Sequence, residues 1–208
     1  MLPPESIVFI VDDDPSIREA LVSLIRSAGL RVAAFASGAE FLSAPRTEAS
    51  ACLVIDVRMP LMGAFELQRQ LATLGWDIPV IFITGHGDIP MSVRAMKAGA
   101  IDFLSKPFSD EDLLASIRHA LTMQDSSRAE RDHARDLRHR FATLTRRERE
   151  VMQHVVKGLL NKQIAAALGV AEITVKVHRR RVMDKMCAAS LVELVHLSDA
   201  LARGYTKV

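Results

Sequence analysis

Apolar positions fall along this chain in two rhythms. In the first half, short unbroken apolar runs alternate with stretches where apolar residues return every third or fourth position. In the second half only the longer rhythm remains. The unbroken runs lie within 6–11, 51–56 and 79–84, and shorter strand-like stretches at 31–35 and 101–104 carry Arg31 and Asp102; each is closed within a few residues by Gly, Pro or Asp. Runs of this length fit strands buried on both faces of a parallel sheet. Between them the spacing predicts helices over 16–28 (Ile17, Leu21, Leu24, Ile25), 38–43, 65–74 and 90–98. Pro15 opens the first of these and Gly29 stands just past its end, the asymmetry that helices favour. Five strands alternating with helices predict an α/β doubly wound, five-stranded parallel sheet.

The pattern changes at Ser109, a helix cap followed by Asp110, Glu111 and Asp112, whose charges suit the positive end of a helix. Neither Gly nor Pro occurs between Asp110 and Gly158. The stretch 124–140 is dense in both charge signs, including Arg128, Glu130, Arg131, Asp132, Arg135 and Asp136. This predicts a long exposed helix joining two domains. A solvated flexible linker is the alternative, because the apolar stripe thins there. From Leu144 to Leu201 four helical periods follow, with breaks at Lys157-Gly158, at Gly169 and at 188–190. The expected organisation is a sheet domain over 1–122, a helical linker over 123–142 and a small all-α, four-helix domain over 143–208.

Charge sharpens this division. Residues 1–125 carry 10 Lys and Arg against 16 Asp and Glu, a net −6, whereas residues 126–208 carry 17 against 9, a net +8. An acidic half joined to a basic one points to different partners, with nucleic acid suited to the basic half. Two solvated surfaces of opposite sign are the plainer reading. No apolar run approaches a membrane span, and no basic segment followed by an apolar one opens the chain, so no export signal is expected. Cys52 inside an apolar run and the distant Cys187 suggest reduced thiols in the cytoplasm, without a disulfide.

The chemistry gathers where the strands end. Asp12 and Asp13 follow the first run, Asp56 closes the third, Thr84 the fourth, and Lys106 follows the fifth. The carboxyl ends of parallel strands share one edge, where open α/β sheets place their ligand crevice. Three carboxylates in one place repel unless a cation intervenes. A hard, partly hydrated Mg²⁺ suits such oxygen ligands. Lys106 supplies a point charge for an anion, so the pocket can bind a phosphoryl group and, with Asp56 as nucleophile, form an acyl phosphate. Taken singly, each residue also reads as an ordinary turn former or cap.

Val11-Asp12-Asp13-Asp14, Asp56-Val57-Arg58-Met59-Pro60, Ile83-Thr84-Gly85 and Lys106-Pro107-Phe108 resemble the receiver domain of two-component response regulators, which has a flavodoxin-like fold. The stretches Thr84-Gly85-His86-Gly87-Asp88 and Met96-Lys97-Ala98-Gly99-Ala100 are similar to its FixJ subgroup. The resemblance implies that Asp56 accepts a phosphoryl group from a sensor histidine kinase. It implies that Asp13 and Asp56 bind Mg²⁺ directly together with the Arg58 main-chain carbonyl, and that Asp12 does so partly through water. Thr84 and Lys106 would contact phosphate oxygens, and Phe103 would be the switching aromatic, with its plain core role as the alternative. Rearrangement of the face at 89–104 would then give a homodimer. One departure is the loop after Met-Pro, where Met62-Gly63-Ala64 replaces the usual Ser-Gly.

In the basic half, Thr145 and Glu148 have the spacing of a capping box. A short helix over 161–168, a turn at Gly169 and a basic helix over 172–186 form a helix-turn-helix arrangement. The outer face of the basic helix is read as Lys176, Arg179, Arg180 and Lys185, opposite inward Val175, Val182 and Met186. Leu144-Thr145-Arg146-Arg147-Glu148, Asn161-Lys162-Gln163-Ile164-Ala165 and Thr174-Val175-Lys176-Val177-His178 resemble the LuxR-type helix-turn-helix. That resemblance implies that Lys176, Val177 and Arg180 face the major groove of promoter DNA and that Lys162 and Thr174 touch its backbone. The dense Arg179-Arg180-Arg181 suits phosphate anchoring. The last helix would pair two such domains.

Together these readings describe a cytoplasmic transcription factor switched by phosphorylation, with RNA polymerase as a further partner. It would not be an enzyme beyond slow loss of its own phosphoryl group. An aspartyl-phosphate hydrolase of the haloacid dehalogenase kind is disfavoured, because Asp56-Val57-Arg58 lacks the second Asp of its Asp-x-Asp motif. A DNA-binding protein whose pocket is never phosphorylated is the third reading.

Overall fold

The computed structural model describes residues 6–47, 49–60, 62–85 and 89–205. His86, Gly87 and Asp88 of the FixJ-like stretch lie outside these residues. The described chain forms two compact units, divided between Ser127 and Arg128.

In the first unit, β1 (Ile7–Val11), β2 (Arg31–Phe35), β3 (Ala51–Asp56), β4 (Val80–Thr84) and β5 (Asp102–Ser105) make one sheet. Its strand order is β2-β1-β3-β4-β5 and every pairing is parallel. The direction of winding reverses between β1 and β3, so the crevice of this fold opens beyond their carboxyl ends. The helices α1 (Pro15–Ser27), α2 (Gly38–Ser43), α3 (Ala64–Thr73), α4 (Ile89–Lys97) and the start of α5 (Asp110–Ala142) connect and follow the strands.

The unbroken apolar runs are explained by two cores. Along β3, Leu53 and Ile55 pack in a cluster with Phe9, Phe41, Leu67 and Phe82. Cys52 and Val54 pack in another with Ile10, Ile25, Ile81, Leu113 and Ile117. Successive side chains point to opposite faces, so a strand covered on both sides must be apolar at every position.

Element bounds differ from the sequence expectations by a residue or so. β4 begins at Val80 rather than Pro79. Pro79 has no N–H for the ladder, although its carbonyl accepts from Leu53 at 2.8 Å. β5 and α4 are each displaced by one residue. The stretch 124–140, expected to be a long helix with a flexible linker as the alternative, is helical throughout, within α5. Ser109 Oγ caps it by accepting from the Asp112 N–H at 3.0 Å.

The second unit holds the end of α5 with α6 (Arg146–Val155), α7 (Asn161–Leu168), α8 (Glu172–Met186) and α9 (Leu191–Tyr205). Its core joins Val151, Met152, Val155, Ile164, Val175, Val182, Met186 and Leu194. Gly169 ends α7 with φ +66°, a left-handed conformation that turns the chain tightly into α8.

Candidate functional site

The sheet brings Asp12, Asp56, Thr84 and Lys106 to one edge because each stands at, or just past, the carboxyl end of its own strand. The Lys106 ammonium lies 2.8 Å from Asp56 Oδ1 and 3.2 Å from Asp12 Oδ2. Asp12 is 1% exposed and Asp56 7%, and Thr84 is fully buried. The second carboxylate oxygens are held by the backbone. Asp12 Oδ1 accepts from the Asp14 N–H at 2.9 Å, and Asp56 Oδ2 accepts from the Arg58 N–H at 2.7 Å. The Lys106 N–H donates to the Thr84 carbonyl at 2.7 Å, and the Lys106–Pro107 peptide bond is cis.

Burial pushes the Asp12 carboxyl above its ordinary range, although the Asp14 N–H and Lys106 oppose the shift. Burial alone would lower the Lys106 ammonium. The hydrogen bond to Asp56 and the charges of Asp12 and Asp56 outweigh it, and the ammonium is held more firmly than usual. Two buried acids sharing one retained cation form a socket with a carboxylate on one side and a fixed positive charge on the other.

The expected three-carboxylate cluster is not formed. Asp13 is exposed, and among the described residues no group of three or more His, Cys, Asp or Glu stands close enough to hold a metal ion. Lys106 fills the interval between the two buried carboxylates, and Asp13 takes the outward position next to Asp12. The donors still suit Mg²⁺, which is usually held by one or two carboxylates while keeping several waters. Arg58 is exposed and serves Asp56 through its N–H. Phe103 stands opposite Phe82 in the β4–β5 register and packs half-buried against the core. Arg18 was not foreseen. Its guanidinium donates to the Asp12 carbonyl at 2.7 Å and braces the loop, and nothing in the sequence separates it from any other surface arginine of α1.

In the helical unit, the Thr145–Glu148 capping box is present on α6. Lys162, Lys176, Val177 and Arg180 are exposed and Thr174 is half-buried. Two basic residues face elsewhere than expected. Lys185 is no part of the outer basic face: its Nζ lies 2.7 Å from Glu148 Oε2 and donates to the Thr143 carbonyl at 3.0 Å. Arg179 is half-buried, and its guanidinium donates to Asn161 Oδ1 on α7 at 3.2 Å. Both flank the buried stripe of α8, where a long side chain reaches inward as readily as outward. Ile173 is 67% exposed on the first turn of α8, outside both the basic and the inward faces expected from the sequence. Its signal in the sequence is an apolar residue four positions before Val177, off the inward stripe.

The sequence profile described as "Response regulator receiver domain" matches residues 8–118, and that of "Bacterial regulatory proteins, luxR family" matches residues 142–198. Response regulator protein TmoT of Ectopseudomonas mendocina is 49% identical over 197 residues, covering 95% of this chain and 90% of the relative. Nodulation protein W of Bradyrhizobium diazoefficiens is 51% identical over 198 residues, covering 95% and 87%. Among solved structures, that of response regulator StyR superposes with a TM-score of 0.88 at 50% identity, covering 94% of this chain and 98% of the other. Full-length FixJ from B. japonicum gives a TM-score of 0.58 at 39% identity, covering 95% and 97%.

Proposed function

The chain belongs to the response regulators that join a receiver domain to a LuxR-type DNA-binding domain, and from this premise we propose that Asp56 is its phosphoacceptor. The observation that carries the reading is the buried Asp56–Lys106–Asp12 arrangement at the carboxyl edge of the sheet. An Asp56 carboxylate oxygen attacks the phosphorus of a phosphohistidine on a sensor kinase. The new O–P bond makes a mixed anhydride, and the P–N bond breaks with its electrons left on the imidazole. Asp56 gives up its own negative charge in the anhydride and gains a phosphoryl group of about −2. Lys106, already within 2.8 Å, pairs with the phosphoryl oxygens.

Mg²⁺, held by Asp13, Asp56 and the Arg58 carbonyl with Asp12 partly through water, would neutralise charge on the transferring phosphoryl group. Thr84 then hydrogen-bonds a phosphoryl oxygen, Phe103 repacks, and the face of α4 and β5 changes. This is a shift between two packings. The altered faces pair two copies, which bind two-fold related sites in promoter DNA and act on RNA polymerase in the cytoplasm. Among the described residues no helix is long and apolar enough to cross a membrane. The protein takes part in the transfer as acceptor rather than as a turnover enzyme.

Intact-mass spectrometry after incubation with Mg²⁺ and a small acyl-phosphate donor tests the acceptor. One phosphoryl increment is expected on the wild type and none on Asp56→Asn. An increment on both would place the acceptor elsewhere.

A further inference from the structure

The outer stripe of α8 is not uniformly basic. Ile173 is 67% exposed and Val177 43% exposed, and they stand four residues apart. Residues at i, i+3, i+4 and i+7 share one helix face, so Ile173 and Val177 lie together with Lys176 and Arg180. All four are exposed, opposite the buried Val175, Val182 and Met186. A β-branched side chain left in water beside two cations, on the first turn of the helix, is not explained by packing. The core of this unit contains neither Ile173 nor Val177.

Recognition helices of helix-turn-helix domains meet base edges mainly through their N-terminal residues. The apolar feature of the major groove is the C5 methyl of thymine. We propose that Ile173 is a specificity-determining residue that reads thymine through this methyl group, beside the groove position already expected for Val177. Lys176 and Arg180 anchor the helix on either side of this apolar stripe, and Arg179, bonded to Asn161, stays out of the groove. The inference rests on the DNA-binding reading and adds to it the base that one position recognises.

The test uses the full chain with Mg²⁺ and an acyl-phosphate donor. The wild type is first used to enrich binding sites from a random duplex pool, and each thymine of the enriched duplex is then replaced singly by deoxyuridine, which lacks only the methyl. Burying one methyl against Ile173 predicts that one deoxyuridine per half-site weakens wild-type binding about 3- to 5-fold. Ile173→Ala is expected to lose that penalty and to keep the penalties at other thymines. Val177→Ala run in parallel assigns any penalty that belongs to its neighbour. Because Ile173 is exposed, the variant should melt with the wild type, which shows that folding is not the cause. If Ile173→Ala retains every deoxyuridine penalty, or if no thymine shows one, the proposal is overturned while DNA binding stands. If the wild type enriches no sequence, the DNA-binding reading itself fails and the proposal falls with it.

Discussion

Single side chains in this protein are placed by what holds them from behind. The Asp12 and Asp56 carboxylates each spend one oxygen on a backbone N–H and the other on Lys106, so the orientation of both is fixed. The same principle separates two basic residues of the helical unit. Lys162 is exposed on α7, whereas Arg179 is tied to Asn161. Binding to DNA weakens with salt in proportion to the phosphates neutralised, and loss of one such contact reduces the log–log slope by about 1. Lys162→Ala is therefore expected to flatten the salt dependence of binding by about one unit of slope. Arg179→Ala should weaken binding with the slope unchanged, because it removes a brace between α7 and α8. Fluorescence anisotropy across a salt series measures both, and an equal drop in slope for Arg179→Ala would make that residue a phosphate contact. Asp12, Asp56, Thr84 and Lys106 were legible in the sequence because a strand's end fixes where its last residue goes. Asp13, Arg179 and Lys185 were not, since a residue beside a turn or on the flank of a buried stripe has two directions open to it.

Elements here begin and end on local chemistry, and α6 shows how far that reaches. The Thr145–Glu148 box closes its first turn, and Glu148, 2% exposed, also receives Lys185 from α8. Burial would raise the Glu148 carboxyl, but Lys185 and the Thr145 hydrogen bonds together hold it below its ordinary value of 4.5. A depressed acid contributes stability that is fully present above its unfolded value and is lost as pH falls through the folded one. Glu148→Gln keeps a side chain able to cap and removes the charge. It is expected to cost about 1–2 kcal/mol at neutral pH, with the difference from wild type narrowing below pH 4.5. Urea titrations across pH measure the gap, and a gap constant through acid would mean that the charge of Glu148 contributes nothing. The cap itself was readable from the Thr145 and Glu148 spacing. Its partner was not, because Glu148 and Lys185 meet only once α6 and α8 pack. Strand β3 was legible for the opposite reason: six consecutive buried positions leave no periodicity to misread. The charge-rich stretch of α5 reads as helix from its lack of Gly and Pro, with coil as the alternative because its apolar stripe is thin.

At the scale of the molecule, an acidic receiver domain, for which phosphoryl acceptance is proposed, is joined to a basic domain of the LuxR type. The sequence showed this division through its change of rhythm at Ser109 and its change of charge sign. It showed the pocket through residues that only the strand order β2-β1-β3-β4-β5 brings together. The proposed link between the two halves is one phosphoryl group on Asp56 that converts single chains into pairs. Sedimentation velocity of the wild type and Asp56→Asn, each with Mg²⁺ and with or without a small acyl-phosphate donor, tests it most directly. A monomer is expected to become a dimer only in the wild type and only with the donor. Dimerisation of both proteins alike, or of neither, would contradict it.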